Sequence, residues 1–581
     1  GLSHAQSPAY PYSDSRTSSF TYYASGVLAS ETVEPDVPNQ CVTTSYTYDG
    51  WGNKSGATTS NCAGASGRAV FTARSSSSTY GAFSVNVPST SGSVSVAVPA
   101  GQYPTSASNA LSQTETRVID PRFGAVVSLT GPNGLTTTVG YDDFGRKVLE
   151  TRADGTSTVT RYCVLSGVGA FPGQDTSSNS AGCSDTALSG QTGEVPALAV
   201  SYIQSVSLDT AGQPMGPTGR AYKDAQGRTI REVAESFDGG SQPGDRRWVV
   251  KDTTYNAYGV AWLTTAPYFL GSDSSTVAGN ADLGLSKTTV DALGRPIRID
   301  VADPQGNAAG VDFGGRSRTS AVTLVAYSAL LTTTTNPKGQ TRAEEKNIDG
   351  KLVRITDAYG AQVAHQHDAF GNLMQTQDAL GNLLKLSYDT RGRKLGMTDP
   401  DTGAWAYDYN ALGELVWQQS PTQAAATPPT VTTMAYDVLG RLTSRVEPEY
   451  TSNWTYDTYA GGAACNKGIG KLCESNTSHG VNKRIAYDNL GRPSSSRTTV
   501  TSGPSFASAI TYEASTGRPS KQTYPTGVAV QYAYTARGYL AQVSLATAAT
   551  ISPLPATPGG TPVAGKSLAA GTALWTAGTV N

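Results

Sequence analysis

Large apolar side chains are scarce: 11 Phe, 7 Trp and 4 Met stand against 63 Gly in 581 residues. A thick packed interior draws on such groups, so one ordinary globular core of this length is excluded as the main architecture. Net charge is nearly absent too, at -2 from 43 basic and 45 acidic residues. That leaves no basic stripe for nucleic acid or an anionic membrane. No apolar run nears the ~20 residues that cross a bilayer as a helix. There are only four histidines, none beside a nucleophile motif, and no Walker A loop, GxGxxG or G-x-S-x-G elbow. No catalytic residue, cofactor-binding residue or metal ligand is therefore assigned, and no cofactor is expected.

Tyrosine is the exception among the large residues, with 30 copies. Between Ile355 and Glu414 acid or amide anchors fall at Asp357, Asp368, Asp378, Asp389, Asp399 and Asn410, with steps of 11, 10, 11, 10 and 11. Two half-units thus make a unit of 21 residues. The side chains share that period: His367, Tyr388 and Tyr409 occupy one slot, His365, Leu386 and Tyr407 a second, and Met374, Leu395 and Val416 a third. Asp or Asn followed three residues later by Gly is the signature of a type I turn, with Gly free to enter the left-handed region. Just before the turn an apolar residue and a Tyr recur two apart, as in Val139-x-Tyr141, Met434-x-Tyr436 and Ile485-x-Tyr487. That spacing puts both on one face of a strand. The unit reads as a strand, a tight turn and a return strand: a β-hairpin.

The structural repeat positions are Tyr48, Asp49 and Gly52; Tyr141, Asp142 and Gly145; Tyr388, Asp389 and Gly392; Tyr409, Asn410 and Gly413; Tyr436, Asp437 and Gly440; Tyr487, Asp488 and Gly491. Glu513 and Thr535 stand where Asp is expected in two late copies. Arginine follows the turn glycine at Arg146, Arg228, Arg295, Arg393, Arg441 and Arg492, and is read as a solvated partner of the nearby acids. Low-complexity stretches at Gly167–Pro196, Pro267–Lys287, Pro421–Thr432 and Ala460–Asn482 read as loops. "SVSVAVPAG" from Ser93 to Gly101 alternates as a strand, and Ala107–Val118 is the best helix candidate in a chain of low helix content.

The sharper readings of single residues yield to plainer ones. His365 and His367 occupy ladder slots, so a structural role is preferred over metal binding. Asp399 and Asp401 lack the remainder of a calcium loop and are explained by turn chemistry. His4 and His479 stand alone. The sequons at Asn53, Asn453 and Asn476 are expected by chance in a chain rich in Ser and Thr. Six cysteines fall as near neighbours, Cys41 with Cys62, Cys163 with Cys183 and Cys465 with Cys473, without C-x-x-C spacing. Local disulfides in an oxidising compartment are the preferred reading over six free thiols.

Tyr-Asp-x-x-Gly-Arg at a period near 21 resembles the YD repeat of Rhs (rearrangement hotspot) proteins, found also in the B and C components of insecticidal toxin complexes, in wall-associated bacterial toxins and in teneurins. The resemblance runs from about Tyr46 onward. It implies an all-β fold in which hairpins join side by side into a long spiralling sheet that forms a hollow shell. The physics agrees, because one hairpin alone is marginal while stacking pairs its edges.

The expected organisation is an N-terminal strand and loop segment over 1–45, an irregular repeat region over 46–330, a regular block over 331–420, and an irregular region over 421–581 that continues beyond Asn581. The expected function is a non-catalytic structural scaffold of a secreted or surface-delivered bacterial protein, enclosing or displaying a cargo such as a C-terminal toxin. The resemblance implies that any self-cleaving region or toxin lies outside this segment. A downstream part of the same polypeptide is then the expected partner. The competing reading is an extracellular fibre, tube or adhesin that self-associates or binds glycan through Tyr and Trp. Neither reading calls for nucleic acid or a membrane-spanning segment.

Overall fold

The computed structural model describes residues 15–89, 92–165, 183–184, 187–188, 194–236, 247–269, 284–302, 311–312, 317–318, 320–551 and 566–576. Strands dominate. Hydrogen bonding links 40 of them into one long antiparallel sheet, in which most strands pair with their immediate sequence neighbours. Among the described residues three short ribbons, Phe83–Ser89 with Gly92–Val98, Val311–Asp312 with Ser317–Arg318, and Ala549–Ile551 with Lys566–Leu568, stand apart from it. The only helical elements among the described residues are a 3-10 turn at Gly67–Ala69 and one helix at Pro421–Ala425.

The chain forms two compact units. One comprises Gly1–Leu135, Ala326–Ala486 and Thr498–Ser505; the other comprises Thr136–Val325, Tyr487–Arg497 and Phe506–Asn581. In the first, the strands Leu352–Thr356, Gln362–His367, Leu373–Gln377, Leu383–Tyr388, Lys394–Asp399, Gly403–Tyr409 and Leu415–Gln419 follow one another as a meander. Its turns alternate between two edges. One edge carries the turns that follow the tyrosine slot, at Asn347, Asp368, Asp389 and Asn410. The return edge carries those at Asn336, Asp357, Asp378 and Asp399.

The 21-residue period has a structural cause. At the tyrosine edge the ladder register slips by one residue: Ser387 pairs with Gly396 but Tyr388 with Lys394, leaving Leu395 as an extra residue. Met374 and Val416 are the extra residues of the neighbouring hairpins. The third periodic slot is therefore a β-bulge. At the return edge the register runs through without a slip, as in Thr356 opposite Gln362 and Gln377 opposite Leu383. A bulge bends and twists its ladder, so each unit adds local curvature once.

From Leu331 to Tyr409 no residue is fully buried. This stretch is a wall one sheet thick. The first unit thickens where the Phe83–Val98 ribbon sets Val85, Val87 and Val98 against Phe83, Val96, Tyr103, Val118 and Val127. In the second unit a denser cluster joins Cys163, Tyr202, Tyr222, Val233, Trp248, Val250 and Tyr268, with Leu188 and Val195 packed against it.

Three expectations need correction. Ala107–Val118 is a hairpin, with strands Ser106–Ser108 and Thr114–Asp120, instead of a helix. The Asn109 side chain accepts the N–H groups of Leu111 and Gln113, and Ser112 takes the left-handed position at φ 59°. The side chain thus offers the backbone a turn that competes with helix. The Pro421–Thr432 loop contains the short helix, started by a capping box in which Ser420 and Gln423 exchange hydrogen bonds and by Pro421 in its first turn. Ala460–Asn482 includes the strand Leu472–Thr477 and the start of Val481–Tyr487. Most of Gly167–Pro196 and Pro267–Lys287, together with His4, lies outside the described residues.

Candidate functional site

The repeated chemistry lies at the tyrosine-edge turn. At Asp389 the backbone N–H donates to the Arg393 carbonyl at 3.0 Å, and the Gly392 N–H donates back to the Asp389 carbonyl at 2.9 Å. The Asp389 carboxylate accepts the Arg393 N–H at 2.9 Å and its guanidinium on the outer oxygen. Gly392 sits at φ 80°, where a side chain would be strained. Asp49, Asp142, Asp437 and Asp488 repeat this backbone pattern, closed by Gly52, Gly145, Gly440 and Gly491. Asn410 does the same with Gly413, its amide donating to Glu414 at 2.6 Å. Thr535 substitutes its hydroxyl for the carboxylate, and the Glu513 turn is one residue longer.

The arginine after the glycine does more than pair with its acid. Arg441 donates to Asp437 at 2.7 Å and, through both terminal nitrogens, to Asp457 of the next hairpin at 3.0 and 2.7 Å. Its guanidinium also lies 4.5 Å from the centre of the Tyr456 ring. Arg146 lies over Tyr162, Arg228 over Tyr255, Arg393 over Tyr409 and Arg492 over Tyr512. Tyrosine closes the link from the other side. Tyr436 donates its hydroxyl to the Leu415 carbonyl at 2.9 Å, Tyr512 to Pro493 at 2.8 Å, Tyr255 to Thr229 at 3.0 Å and Tyr48 to Leu28 at 2.8 Å. In each case the acceptor is the first residue of the return strand in the preceding hairpin. Tyr141, Tyr388, Tyr409 and Tyr487 end their strands in the same slot. Burial, with Asp368 nearby, pushes the Tyr388 hydroxyl above its ordinary value, so it stays protonated and a donor.

These links were missed in the sequence because the partner tyrosine follows at varying distance, 15 residues after Arg441 but 27 after Arg228. The constant arginine was legible; its ring was not. The three cysteine pairs are disulfides, Cys41–Cys62, Cys163–Cys183 and Cys465–Cys473, with Cα separations of 5.5, 5.7 and 5.9 Å. His365 meets the Thr376 hydroxyl at 3.1 Å. Burial, reinforced by His365 and Lys351, lowers the basicity of His367. Among the described residues no cluster of three or more His, Cys, Asp or Glu is placed to hold a metal, and no helix is long and apolar enough to cross a membrane.

A second feature had no sequence signal. In the second unit Glu194 is fully buried; it accepts the Tyr222 hydroxyl at 2.7 Å and the Leu188 N–H at 2.8 Å. Arg231 clamps Asp252 at 2.9 Å and donates to the Glu194 carbonyl at 3.0 Å, while the Tyr268 hydroxyl donates to Asp252. Burial and the Glu194 carboxylate push the Tyr222 hydroxyl strongly up, so it remains a donor. The acids and bases satisfy one another, which is the arrangement of a structural network more than a reactive one.

A third feature, a seam, lies inside the first unit. There the tyrosine edge of the 368–437 hairpins meets the connectors of the 15–74 hairpins. Arg16 caps the Phe370 ring at 4.0 Å, and Thr390 donates to the Gln40 side chain at 2.6 Å. The Ala411 N–H donates to the Ala69 carbonyl at 2.8 Å, Arg68 reaches Asp408 at 3.0 Å, and Arg74 reaches Glu414 at 2.6 Å.

The sequence profile of the RHS repeat matches residues 122–157, a stretch that includes the Asp142 turn. No curated protein matches the chain. Among solved structures, a Photorhabdus luminescens Tc holotoxin pore with a mutation in TccC3 is similar at 13% identity and a TM-score of 0.55, covering 90% of this chain and 37% of that one. The crystal structure of TcdB2-TccC3-Cdc42 follows at 14% identity and a TM-score of 0.44, covering 95% and 38%. The chain therefore carries an Rhs-type YD repeat, and its fold resembles that of a toxin-complex component. It spans little more than a third of the length of those chains.

Proposed function

We propose that this chain is a non-catalytic wall: a structural scaffold of a secreted or surface-delivered bacterial protein that encloses or displays a cargo carried by another part of the same polypeptide. The observation that carries this reading is the thinness of the sheet. From Leu331 to Tyr409 every residue keeps some exposure, so both faces meet solvent or a guest. A sheet with no second layer bounds a volume better than it packs a core. Likeness to the Tc holotoxin chain supports the same role, as do three disulfides suited to an oxidising compartment.

Cryo-EM of the complete gene product tests the proposal. Density for a downstream segment held against the inner face of the wall is expected. An extended particle with both faces bare, or a solid interior built from these residues, overturns it. The alternative of an adhesin that binds glycan draws on exposed ring tips such as Tyr359; a glycan array with bound sugar lost on Tyr359→Ala would favour it.

A further inference from the structure

The tyrosine slot is where each hairpin of the wall meets the one before it. Continuing the register of Ser444 with Asn453 brings Arg441 opposite Tyr456, and that of Arg354 with Ala364 brings Lys351 opposite His367 in the same way. Arg393 and Arg441 thus face phenol rings, which accept a cation on their face and stay neutral below a pH of about 10. His367 puts in that slot a ring that gains a charge on acidification.

The surroundings of His367 suit only its neutral form. Its Nδ1 is buried and meets no hydrogen-bond partner, so an imidazolium would leave an N–H unsatisfied there. Lys351 lies across the Asp368 turn, where a Cβ added to Gly371 would stand 2.9 Å from the ammonium nitrogen. Arg16, from the other run of hairpins, caps Phe370 in the same turn. His365, two residues back on the same face, meets the Thr376 hydroxyl, and the strand Leu373–Gln377 on that side brings no charged group. Asp368 is the acid that favours a charge here, but its carboxylate already accepts the N–H groups of Phe370 and Asn372 and the Asn372 amide.

We propose that the joint between the Asn347 and Asp368 hairpins is an acid-sensitive point of the wall: protonated His367, opposite Lys351, loosens the pairing of Leu352–Thr356 with Gln362–His367. Burial, with His365 and Lys351 beside it, holds His367 below its ordinary value. Its contribution to stability is therefore present above the unfolded value of ~6.5 and is lost as pH falls from there through the depressed value. That window lies above the one in which turn carboxylates protonate. The joint behaves so whether or not the wall encloses a cargo.

One imidazole moves the melting of so long a chain little, so the readout is local. Hydrogen exchange of the 581-residue chain at about pH 7.5 and about pH 5, each corrected for intrinsic exchange, should show opening of the joint strands rising about three- to tenfold on acidification, the range linkage allows a single imidazole. The Lys394–Asp399 and Gly403–Tyr409 pair, with Arg393 over Tyr409, should not respond. His367→Tyr restores the residue of the equivalent slots and should abolish the response. Lys351→Gln, at an exposed position, should at least halve it. Circular dichroism checks that both variants fold. A wild type whose joint opens equally at both pH values overturns the proposal. So does a response that survives His367→Tyr, is undiminished in Lys351→Gln, or is matched by the control pair.

Discussion

The regular block from Leu331 to Gln419 and the patch around Tyr222 are made of the same hairpins, yet they are held by different physics. In the block each strand buries little, and order comes from repetition: turn carboxylates on backbone N–H groups, glycines at positive φ, arginines over rings, and tyrosine hydroxyls on neighbouring carbonyls. Around Tyr222 the residues Leu188, Glu194 and Val195 pack against the sheet, and burial takes over. The contrast shows that a YD wall needs no core, and that wherever something covers it the polar groups beneath must be fully paired.

The comparison breaks hardest at Tyr222→Ala. That change should destabilise the second unit by about 3 to 5 kcal/mol, the cost of removing a buried ring. Hydrogen exchange should show the strands Ser201–Leu208 and Gly219–Lys223 losing protection together; protection unchanged there would refute the covered-core reading. Next comes a matched pair. Tyr222→Phe leaves Glu194 without its 2.7 Å donor and should cost about 1 to 3 kcal/mol, whereas Tyr436→Phe, which frees only the Leu415 carbonyl, should cost about 0.5 to 1.5 kcal/mol. Equal losses in urea midpoint for the two would erase the distinction between patch and wall.

Smaller again is Gly381→Ala in the block. The backbone sits at φ 89°, and an added Cβ would meet nothing closer than the Gln377 amide at 3.9 Å. Strain is then the whole effect, about 1 to 2 kcal/mol, read from thermal melting. Gly396→Ala is a useful control for crowding instead of strain, since there a Cβ would lie 2.9 Å from the Ser387 hydroxyl.

The mildest change is acidification. The Asn382 side-chain amide, followed by backbone N–H groups, holds the Asp378 carboxyl below the usual carboxylate range, and the Thr402 N–H does the same for Asp399. Folded values below the unfolded ones mean that this stability is present above the ordinary carboxylate value of ~3.9 and is lost as pH falls from there through the depressed values. Melting temperatures of the chain should therefore be flat from neutrality to about pH 5 and fall below pH 4. Asp378→Asn should flatten part of that fall, and an unchanged acid limb would count against the turns as its source.

Much of the fold was legible because it is local. An acid, two residues and a glycine specify a turn within five positions, and Tyr388 and Tyr409 recur because the same bend does. The slot shared by Met374, Leu395 and Val416 was visible as a period, but its identity as a bulge required the register of the opposite strand. The Ala107–Val118 helix candidate misled because Asn109 and Ser112 make a turn without the usual glycine. Arginine 15 to 27 residues ahead of its ring, Glu194 beneath Tyr222, and Arg74 on Glu414 across 340 residues had no spacing to betray them.

By itself, then, the sequence determined the hairpin, its period and the absence of a thick core, since turn chemistry and composition act over a few residues. Which edge docks on which, what is covered and which polar groups must find partners were decided only by the tertiary structure. Those choices depend on strands brought together from distant parts of the chain, where side-chain proximity follows sheet curvature instead of sequence distance.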